Sequence, residues 1–266
     1  MCFDISNGVI SNGVNEEMQK HEYARLARLE SFYFWNIGRR EILKEVLLRH
    51  IGKRNDLEIL DVGCGSGGNI NLLAEFGRVT GLDVSPEALR FAKNYDFTNL
   101  VQADAKAIPF PDRYFSLVTS LDVFEHIEDD KKALQESFRV LKNGGFILLT
   151  VPAHLWLWSD HDKVMLHKRR YARSEILRRV KETGFKILEC SNFVFPGVPV
   201  HFLRKTRESI LRKFIPQKSR TVDTYVREFS KGTNNFLLSL LRFEKFLIRF
   251  VSLPLGTSVF VIAKKP

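Results

Sequence analysis

The chain has 266 residues, 44% of them hydrophobic, which is enough for one sizeable core with an appendage. Its three cysteines are too few for a disulfide framework, which predicts a reduced, cytoplasmic setting. Because no apolar run reaches the roughly eighteen residues that a bilayer-spanning helix needs, we expect no such helix.

The net charge of +10 is concentrated near the end of the chain. Residues 201–266 hold 14 of the 41 Lys and Arg residues but only 4 of the 31 Asp and Glu residues. A basic segment is either a solvated face or a surface attracted to an anionic membrane, a nucleic acid or an acidic partner. The charge count leaves both interpretations open.

The chain begins with a polar segment and continues as alternating helices and strands. Residues 1–17 contain two Asn-Gly pairs and predict a mobile tail. Helices are predicted over about 18–34 and 37–51, and beyond them apolar strands alternate with helical segments. This alternation predicts an α/β fold with a doubly wound, Rossmann-like sheet that is mostly parallel and covered on both faces.

A glycine-rich turn follows the first predicted strand. The strand ends at Asp61, and Gly63, Gly65 and Gly67 allow the backbone to approach a ligand closely. The helix that follows directs its free N–H groups to the same point. Asp83 ends the second strand, where a carboxylate can accept hydrogen bonds from both hydroxyls of a ribose. The pattern predicts a nucleoside site.

Two kinds of cofactor fit this turn. Gly63, Gly65 and Gly68 also match the dinucleotide pattern G-x-G-x-x-G, so a nicotinamide oxidoreductase is one alternative. Asp61 favours S-adenosylmethionine, because that donor carries an ammonium and a sulfonium, whereas the pyrophosphate of a dinucleotide would be repelled. Asp104 closes a third strand and suits an adenine amino group.

Five motifs occur in the order typical of class I S-adenosylmethionine-dependent methyltransferases. They read DVGCGSGG, GLDVS, QADA, FSLVTSLDVFEHI and LKNGGFILLTVP, and the chain resembles this family over roughly residues 37–195 and the last ten. The resemblance implies S-adenosylmethionine as cofactor and an antiparallel last strand. Carried over residue by residue, the donor contacts are Asp61, Gly63 and Gly65 for the methionine part, Asp83 for the ribose, Asp104 and Ala105 for the adenine, and the Leu121 carbonyl for the ammonium.

Histidines are the candidate general base. His126 follows the fourth strand in Asp122-x-x-Glu125-His126, and His161 and His167 lie after the fifth strand. Imidazole titrates near neutral pH, so we predict that one of the three removes a hydroxyl proton, with activity rising near about pH 6–7. The alternative is that each histidine only ties down its loop. Two acids and one imidazole are too few to specify a metal, and none is expected.

The loop after the fifth strand also offers acceptor contacts. Trp156 and Trp158 could cover an apolar or sugar-like acceptor. Arg170, in the run His-Lys-Arg-Arg-Tyr that ends at Tyr171, could clamp a phosphate or a carboxylate. We therefore predict Trp156, Trp158, Arg170 and Tyr171 as substrate-binding residues.

An insertion separates the last two strands, which the resembled family usually joins by a short connection. A structureless loop of this length is unusual, so residues 196–256 are predicted to be helical and basic, with 18–195 and 257–266 forming the core. An amphipathic helix over about 236–251 carries a wide apolar face with Lys and Arg on the other side. It either packs on the core or lies in a membrane interface, with its cations facing lipid phosphates.

These features predict an O-methyltransferase for a small-molecule, glycan or lipid-linked acceptor. The predicted location is cytoplasmic, with association to an anionic membrane through 196–256. One alternative is a nucleic-acid methyltransferase, which the basic segment favours, but the fourth strand ends in Leu-Asp-Val-Phe and lacks the Asn/Asp-Pro-Pro-aromatic signature. Another alternative is a non-catalytic nucleoside-binding protein.

Overall fold

The computed structural model describes residues 29–93, 99–214 and 229–266. The predicted tail over 1–17 and most of the predicted helix over 18–34 lie outside these residues. The helices are α1 Phe34–Ile51, α2 Ile70–Ala74, α3 Pro86–Ala92, α4 Asp130–Val140, α5 Asp160–Val164, α6 Arg173–Glu182, α7 Gly197–Phe214 and α8 Lys231–Ile248. The strands are β1 Leu57–Val62, β2 Gly77–Asp83, β3 Leu100–Gln102, β4 Phe115–Leu121, β5 Leu141–Pro152, β6 Lys186–Phe193 and β7 Ser258–Lys264.

The seven strands form one sheet in the order β3-β2-β1-β4-β5-β7-β6. Neighbouring strands from β3 to β5 are parallel, and β7 runs antiparallel to both β5 and β6. This arrangement confirms the predicted fold class, including the antiparallel last strand. In a doubly wound sheet, ligands bind beyond the carboxyl ends of the parallel strands, and this edge holds the site described below.

Helices cover both faces of the sheet. On one face, α4 and α6 contribute Leu134 and Ile176 to the larger apolar cluster. On the other face, α1 and α8 contribute Leu43 and Leu241 to a second cluster. Burial from both sides explains why the strands read as nearly continuous apolar runs.

Side chains cap the starts of two helices, and the fifth strand begins earlier than its glycines suggest. Ser85 Oγ accepts a hydrogen bond of 3.2 Å from Ala88 N at the start of α3, and Asp129 Oδ1 accepts one of 3.1 Å from Lys132 N at the start of α4. The segment Leu141-Lys-Asn-Gly-Gly has the glycines typical of a turn, but β5 already begins at Leu141. A register shift in the pairing with β4 absorbs the glycines, so the chain continues as a bulged strand.

Helix α8 packs on the core through apolar contacts and through the hydrogen bonds of one buried carboxylate. Leu237, Leu241 and Ile248 are buried against α1 and the sheet. Glu244 accepts hydrogen bonds from Val194 N at 2.5 Å and from Phe195 N at 2.9 Å, just after β6 ends. Burial raises the pKa of Glu244 to about 7. The helix therefore packs on the core along one narrow face.

The cations of α8 lie beside this buried face rather than opposite to it. Arg242 and Lys245 both bind Glu41 of α1, at 2.9 and 2.8 Å, and Arg249 binds Glu45 at 2.8 Å. The predicted placement of these cations on the far side is wrong, because carboxylates on α1 draw them to the helix pair. Among the described residues, no helix combines the length and apolar composition needed to cross a bilayer.

Candidate active site

The glycine turn lies between β1 and α2, as predicted. Gly63 and Gly65 have φ angles of +72° and +55°, which L residues with a side chain rarely adopt. A Cβ atom on Gly63 would lie 2.4 Å from Cγ2 of Val123. The backbone of the turn is therefore packed directly against the segment that follows β4.

Asp83 holds the turn against the end of β2. Its Oδ2 atom accepts a hydrogen bond of 2.9 Å from Gly65 N, and its Oδ1 atom accepts one of 2.9 Å from Ser85 N. The side chain is buried. A carboxylate oxygen has two lone pairs, so these bonds leave acceptor capacity for the predicted ribose contact.

Asp61 is buried, and one of its two carboxylate oxygens accepts a hydrogen bond. Thr119 Oγ1 donates a hydrogen bond of 2.6 Å to Oδ1, whereas Oδ2 has no hydrogen-bond partner. Burial raises the pKa of Asp61 to about 6, against the opposing effect of the bond from Thr119. A buried carboxylate oxygen without a partner suits the cationic methionine part of the donor.

The remaining predicted donor contacts lie at the ends of β3 and β4. Asp104 is exposed, and its Oδ1 atom accepts a hydrogen bond of 2.8 Å from Lys106 N. Ala105 is buried, and Leu121 is the last residue of β4. Their contacts with adenine and ammonium stay predictions.

The three predicted catalytic histidines come together at the carboxyl edge of the sheet. The rings of His126 and His167 are 4.9 Å apart, and the rings of His161 and His167 are 6.3 Å apart. His201 of α7, which the sequence did not single out, lies 6.2 Å from His161. Two loops and the insertion therefore contribute to one cluster, which helical or strand periodicity cannot reveal.

Glu125 lies inside this cluster. The side chain is 1% exposed, neither carboxylate oxygen has a hydrogen-bond partner, and Oε1 is 4.0 Å from Nε2 of His167. Burial, together with the negative charge of Asp122, raises the pKa of Glu125 well above its ordinary value. Burial and the charge of His167 lower the pKa of His126 to about 3, so its imidazole is neutral at physiological pH. A rise of activity near about pH 6–7 has to come from another group.

Asp162 orients His167. Its carboxylate accepts hydrogen bonds from His167 Nδ1 at 2.9 Å, Arg170 Nε at 2.7 Å and Ser159 N at 2.9 Å. Although burial opposes ionisation, the bonds from His167 and Arg170 hold the pKa of Asp162 below its ordinary value. Because an ionised carboxylate only accepts, the neutral His167 carries its proton on Nδ1 and leaves a lone pair on Nε2.

Two of the predicted substrate-binding residues are interior residues. Arg170 is buried and, besides Asp162, donates a hydrogen bond of 3.0 Å to Ala153 O. Tyr171 is fully buried, and its hydroxyl donates a hydrogen bond of 2.6 Å to Asp130 Oδ2. Both side chains are used within the fold, which contradicts the predicted acceptor contacts. Trp158 is half-buried, Trp156 is exposed, and both keep their predicted role.

Helix α1 reaches the same edge through Arg39. Its Nη1 atom lies 2.6 Å from Asp122 Oδ2, and its Nη2 atom donates a hydrogen bond of 3.1 Å to Thr150 Oγ1. Asp122 itself has a φ angle of +58°. The first residue after β4 is thus held by both α1 and β5.

Glu125, His126 and His167 could also hold a metal ion. One ligand atom from each lies within 4.8 Å of the others. An oxygen and two imidazole nitrogens would suit a divalent transition metal. The sequence did not indicate the contribution of His167, and the absence of a metal stays a prediction.

Comparison with known proteins agrees with this geometry. A family model described as a methyltransferase domain matches residues 60–149. Demethylmenaquinone methyltransferase of Staphylococcus aureus strain MRSA252 is 28% identical over 225 residues, covering 79% of this chain and 85% of that protein. The structure of a SAM-dependent methyltransferase from Archaeoglobus fulgidus matches with a TM-score of 0.55 and 19% identity, covering 91% of this chain and 99% of that one.

A structure determined with a product of the donor is also similar. Phosphoethanolamine N-methyltransferase 2 of Haemonchus contortus, in complex with phosphomonomethylethanolamine and S-adenosylhomocysteine, matches with a TM-score of 0.53 and 25% identity. The match covers 83% of this chain and 51% of that one.

The sheet order and the glycine turn define a Rossmann-like methyltransferase fold with a nucleoside site at its carboxyl edge. Together with the family model over residues 60–149, they show a methyltransferase domain with the class I fold that uses S-adenosylmethionine. Its methyl donor is S-adenosylmethionine.

Proposed function

We propose that the enzyme methylates an oxygen atom of a small-molecule, glycan or lipid-linked acceptor. One observation carries this proposal. Three histidines and the buried Glu125 lie together at the carboxyl edge of the sheet, the edge that also holds the glycine turn; the histidines are His126, His161 and His167. Attack by a hydroxyl on a sulfonium methyl group needs alignment and removal of the hydroxyl proton. Imidazole nitrogens at this edge supply an acceptor for that proton.

The orientation of His167 favours it as the proton acceptor. With its proton on Nδ1 held by Asp162, its Nε2 lone pair faces the interior of the cluster. As the acceptor oxygen forms its bond to the methyl carbon, the carbon–sulfur bond breaks and S-adenosylhomocysteine leaves. The hydroxyl proton passes to the imidazole, so charge and atoms balance.

The comparisons support a small-molecule acceptor. One relative is named for demethylmenaquinone, and the Haemonchus structure holds phosphomonomethylethanolamine. The exposed Trp156 lies in the same loop as His161 and its carbonyl accepts a hydrogen bond from Lys205 of α7. An aromatic surface beside the histidines suits an apolar or sugar-like acceptor.

The test is a screen of lipid, glycan and phenolic extracts with labelled donor, followed by substitution of each histidine in turn. Asp162→Asn is expected to lower turnover at least about tenfold, because Brønsted-type general-base catalysis contributes about 10²–10⁴-fold and the amide no longer fixes the proton on Nδ1. His167→Ala should lower it similarly, with donor affinity unchanged. His50→Ala is the matched control, since His50 pairs with Glu189 outside the cluster.

Other outcomes would contradict the proposal. If His126→Ala, His161→Ala and His167→Ala all keep full turnover, the base lies elsewhere or positioning alone drives transfer. If donor binds but no lipid, glycan or phenolic extract is methylated, the proposed acceptor classes are wrong. Dialysis against a chelator should leave turnover unchanged, and restoration of lost turnover by Zn²⁺ would show that the cluster holds a metal.

A further inference from the structure

We propose that the outer face of α8 docks the enzyme on a membrane surface containing anionic phospholipids. The proposal rests on the proposed function only in its consequence, that a lipid-linked acceptor is met at the bilayer. Docking itself requires neither donor nor acceptor.

Large aromatic side chains line this outer face. Phe236, Phe243 and Phe250 recur at intervals of seven residues and are 63%, 60% and 72% exposed. Seven residues are close to two helical turns, so the rings of Phe236 and Phe243 project to the same side of α8, whereas Phe250 lies in the turn two residues after the helix ends at Ile248. Phe246 is 51% exposed, and its ring lies 5.2 Å from that of Phe250. Soluble proteins rarely leave such a continuous row of rings in water without a partner.

The rings are held outward by the contacts on the other side of the helix. Leu241 is buried against α1, and Glu244 binds the backbone after β6. The ion pairs of Arg242 and Arg249 with α1 fix the rotation of α8 further. Turning the phenylalanines inward would break all of these contacts. The apolar face is therefore a fixed surface of the folded protein.

The charge of this surface favours anionic lipid over other partners. The single acid of α8 is Glu244, which is 4% exposed, so no carboxylate of the helix faces outward. The side chains of Arg242 and Arg249 keep 55% and 46% of their surface exposed despite their ion pairs. The cations lie along one side of the row of rings, where Glu41 and Glu45 of α1 pair with them. Exposed aromatic rings together with partly exposed cations are the composition of helices that lie in a membrane interface. A second copy of the chain would bring the same cations against each other, which disfavours a dimer through this face.

Sedimentation of the full chain with vesicles tests the proposal. One vesicle contains phosphatidylcholine alone, and the other contains phosphatidylcholine with phosphatidylglycerol. We expect binding to the anionic vesicles at low salt, weakened by added salt because the electrostatic part is screened. The double variant Phe243→Gln/Phe250→Gln should bind at least about tenfold more weakly, since two exposed rings lose their burial in lipid.

Tyr114→Gln is the matched control. Tyr114 is 42% exposed and contacts Phe110 and Phe115, which belong to the apolar cluster on the opposite face of the sheet. This variant should bind vesicles as the wild type does. Calorimetry with S-adenosylhomocysteine should give wild-type affinity for all variants, which shows that they are folded.

Three results would overturn the proposal. One is equal, negligible binding of the wild type to both vesicles at low salt. Another is unchanged vesicle binding by the double variant. The third is a dimer in analytical ultracentrifugation that the same double variant dissociates, because the face would then bind a second copy. Each of these results leaves methyl transfer to an acceptor in solution untouched, so failure of docking and failure of the proposed function can be told apart.

Discussion

Asp83 binds two backbone N–H groups of the donor site in addition to its predicted contact with ribose. We therefore predict that Asp83→Ala weakens donor binding at least about tenfold, since each hydrogen bond to a charged group contributes about 1.5–3 kcal/mol. Calorimetric titration with S-adenosylmethionine measures this. Asp104→Ala is the comparison, because its exposed carboxylate is predicted to contact only the adenine and should have the smaller effect. Wild-type affinity in Asp83→Ala would refute the donor assignment.

Asp61 makes donor binding dependent on pH. Burial raises its folded-state pKa to about 6 from an ordinary value of 3.8, so folding of the free protein becomes less favourable as the pH rises through this window. The ionised form is the one that attracts a cationic donor. Donor affinity should therefore increase as the pH rises from about 5 to 7, and binding should release a proton near pH 6.

Calorimetry in buffers of different ionisation enthalpy measures that proton. Asp61→Asn keeps the shape of the side chain, and it should bind the donor weakly with little dependence on pH over the same range. A wild-type affinity that stays constant from about pH 5 to 7 would show that Asp61 is not the group that meets the donor cation.

Local spacing was enough to place the predicted donor residues in one turn, but it did not reveal the residues that support the histidines. Asp61, Gly63 and Gly65 lie at alternate positions of one short motif. Asp162 lies in the short helix α5 and His167 follows the end of that helix, a spacing of five residues without helical or strand periodicity. Arg170 has the charge expected of a phosphate ligand, but its partner is Asp162, and only the folded structure shows this.

At the scale of elements, α1 and α8 pack tightly against each other at Gly38. A Cβ atom there would lie 2.8 Å from Leu241 Cβ and 2.3 Å from its Cδ1. Alanine normally stabilises a helix relative to glycine by about 0.5–1 kcal/mol. We predict the opposite sign for Gly38→Ala, a loss of about 1–3 kcal/mol in the free energy of unfolding, because overpacking forces α8 away.

Gly232 provides the control for this experiment. It lies in the first turn of α8, and a Cβ atom there would have no neighbour within 4 Å. Gly232→Ala should therefore leave stability unchanged or raise it by up to about 1 kcal/mol. Denaturant unfolding of both variants measures the change in the free energy of unfolding, including its sign. A stabilising Gly38→Ala would mean that α8 is not packed on α1 in solution.

Helical periodicity predicted α8 but could not select its buried face. Apolar residues cover more than half of the surface of α8, so several faces could pack on the core. Glu41 and Glu45 of α1 bind the cations of α8 and thereby favour burial of the face that contains Leu241. The start of β5 is likewise not evident from the sequence. Gly144 and Gly145 are typical of a turn, but pairing with β4 retains them in a bulged strand.

At the scale of the molecule, the alternation of strands and helices predicted the sheet because right-handed crossovers leave few other topologies. The packing of the insertion could not be predicted in the same way. Its contacts join residues about 200 positions apart, such as Asn234 and the backbone of Phe34, and no local pattern encodes them.

The two ends of the insertion meet at one place. Asn192 of β6 donates hydrogen bonds from Nδ2 to Leu253 O at 3.1 Å and to Pro254 O at 2.7 Å, immediately before β7. The start and the end of the insertion are thus held together beside the pairing of β6 with β7. Because doubling the length of a loop costs only about 0.6 kcal/mol, residues added within the insertion are expected to leave this pairing intact, provided that α8 keeps its packing on α1. Such additions would change the surface beside His201 while the glycine turn after β1 keeps its shape.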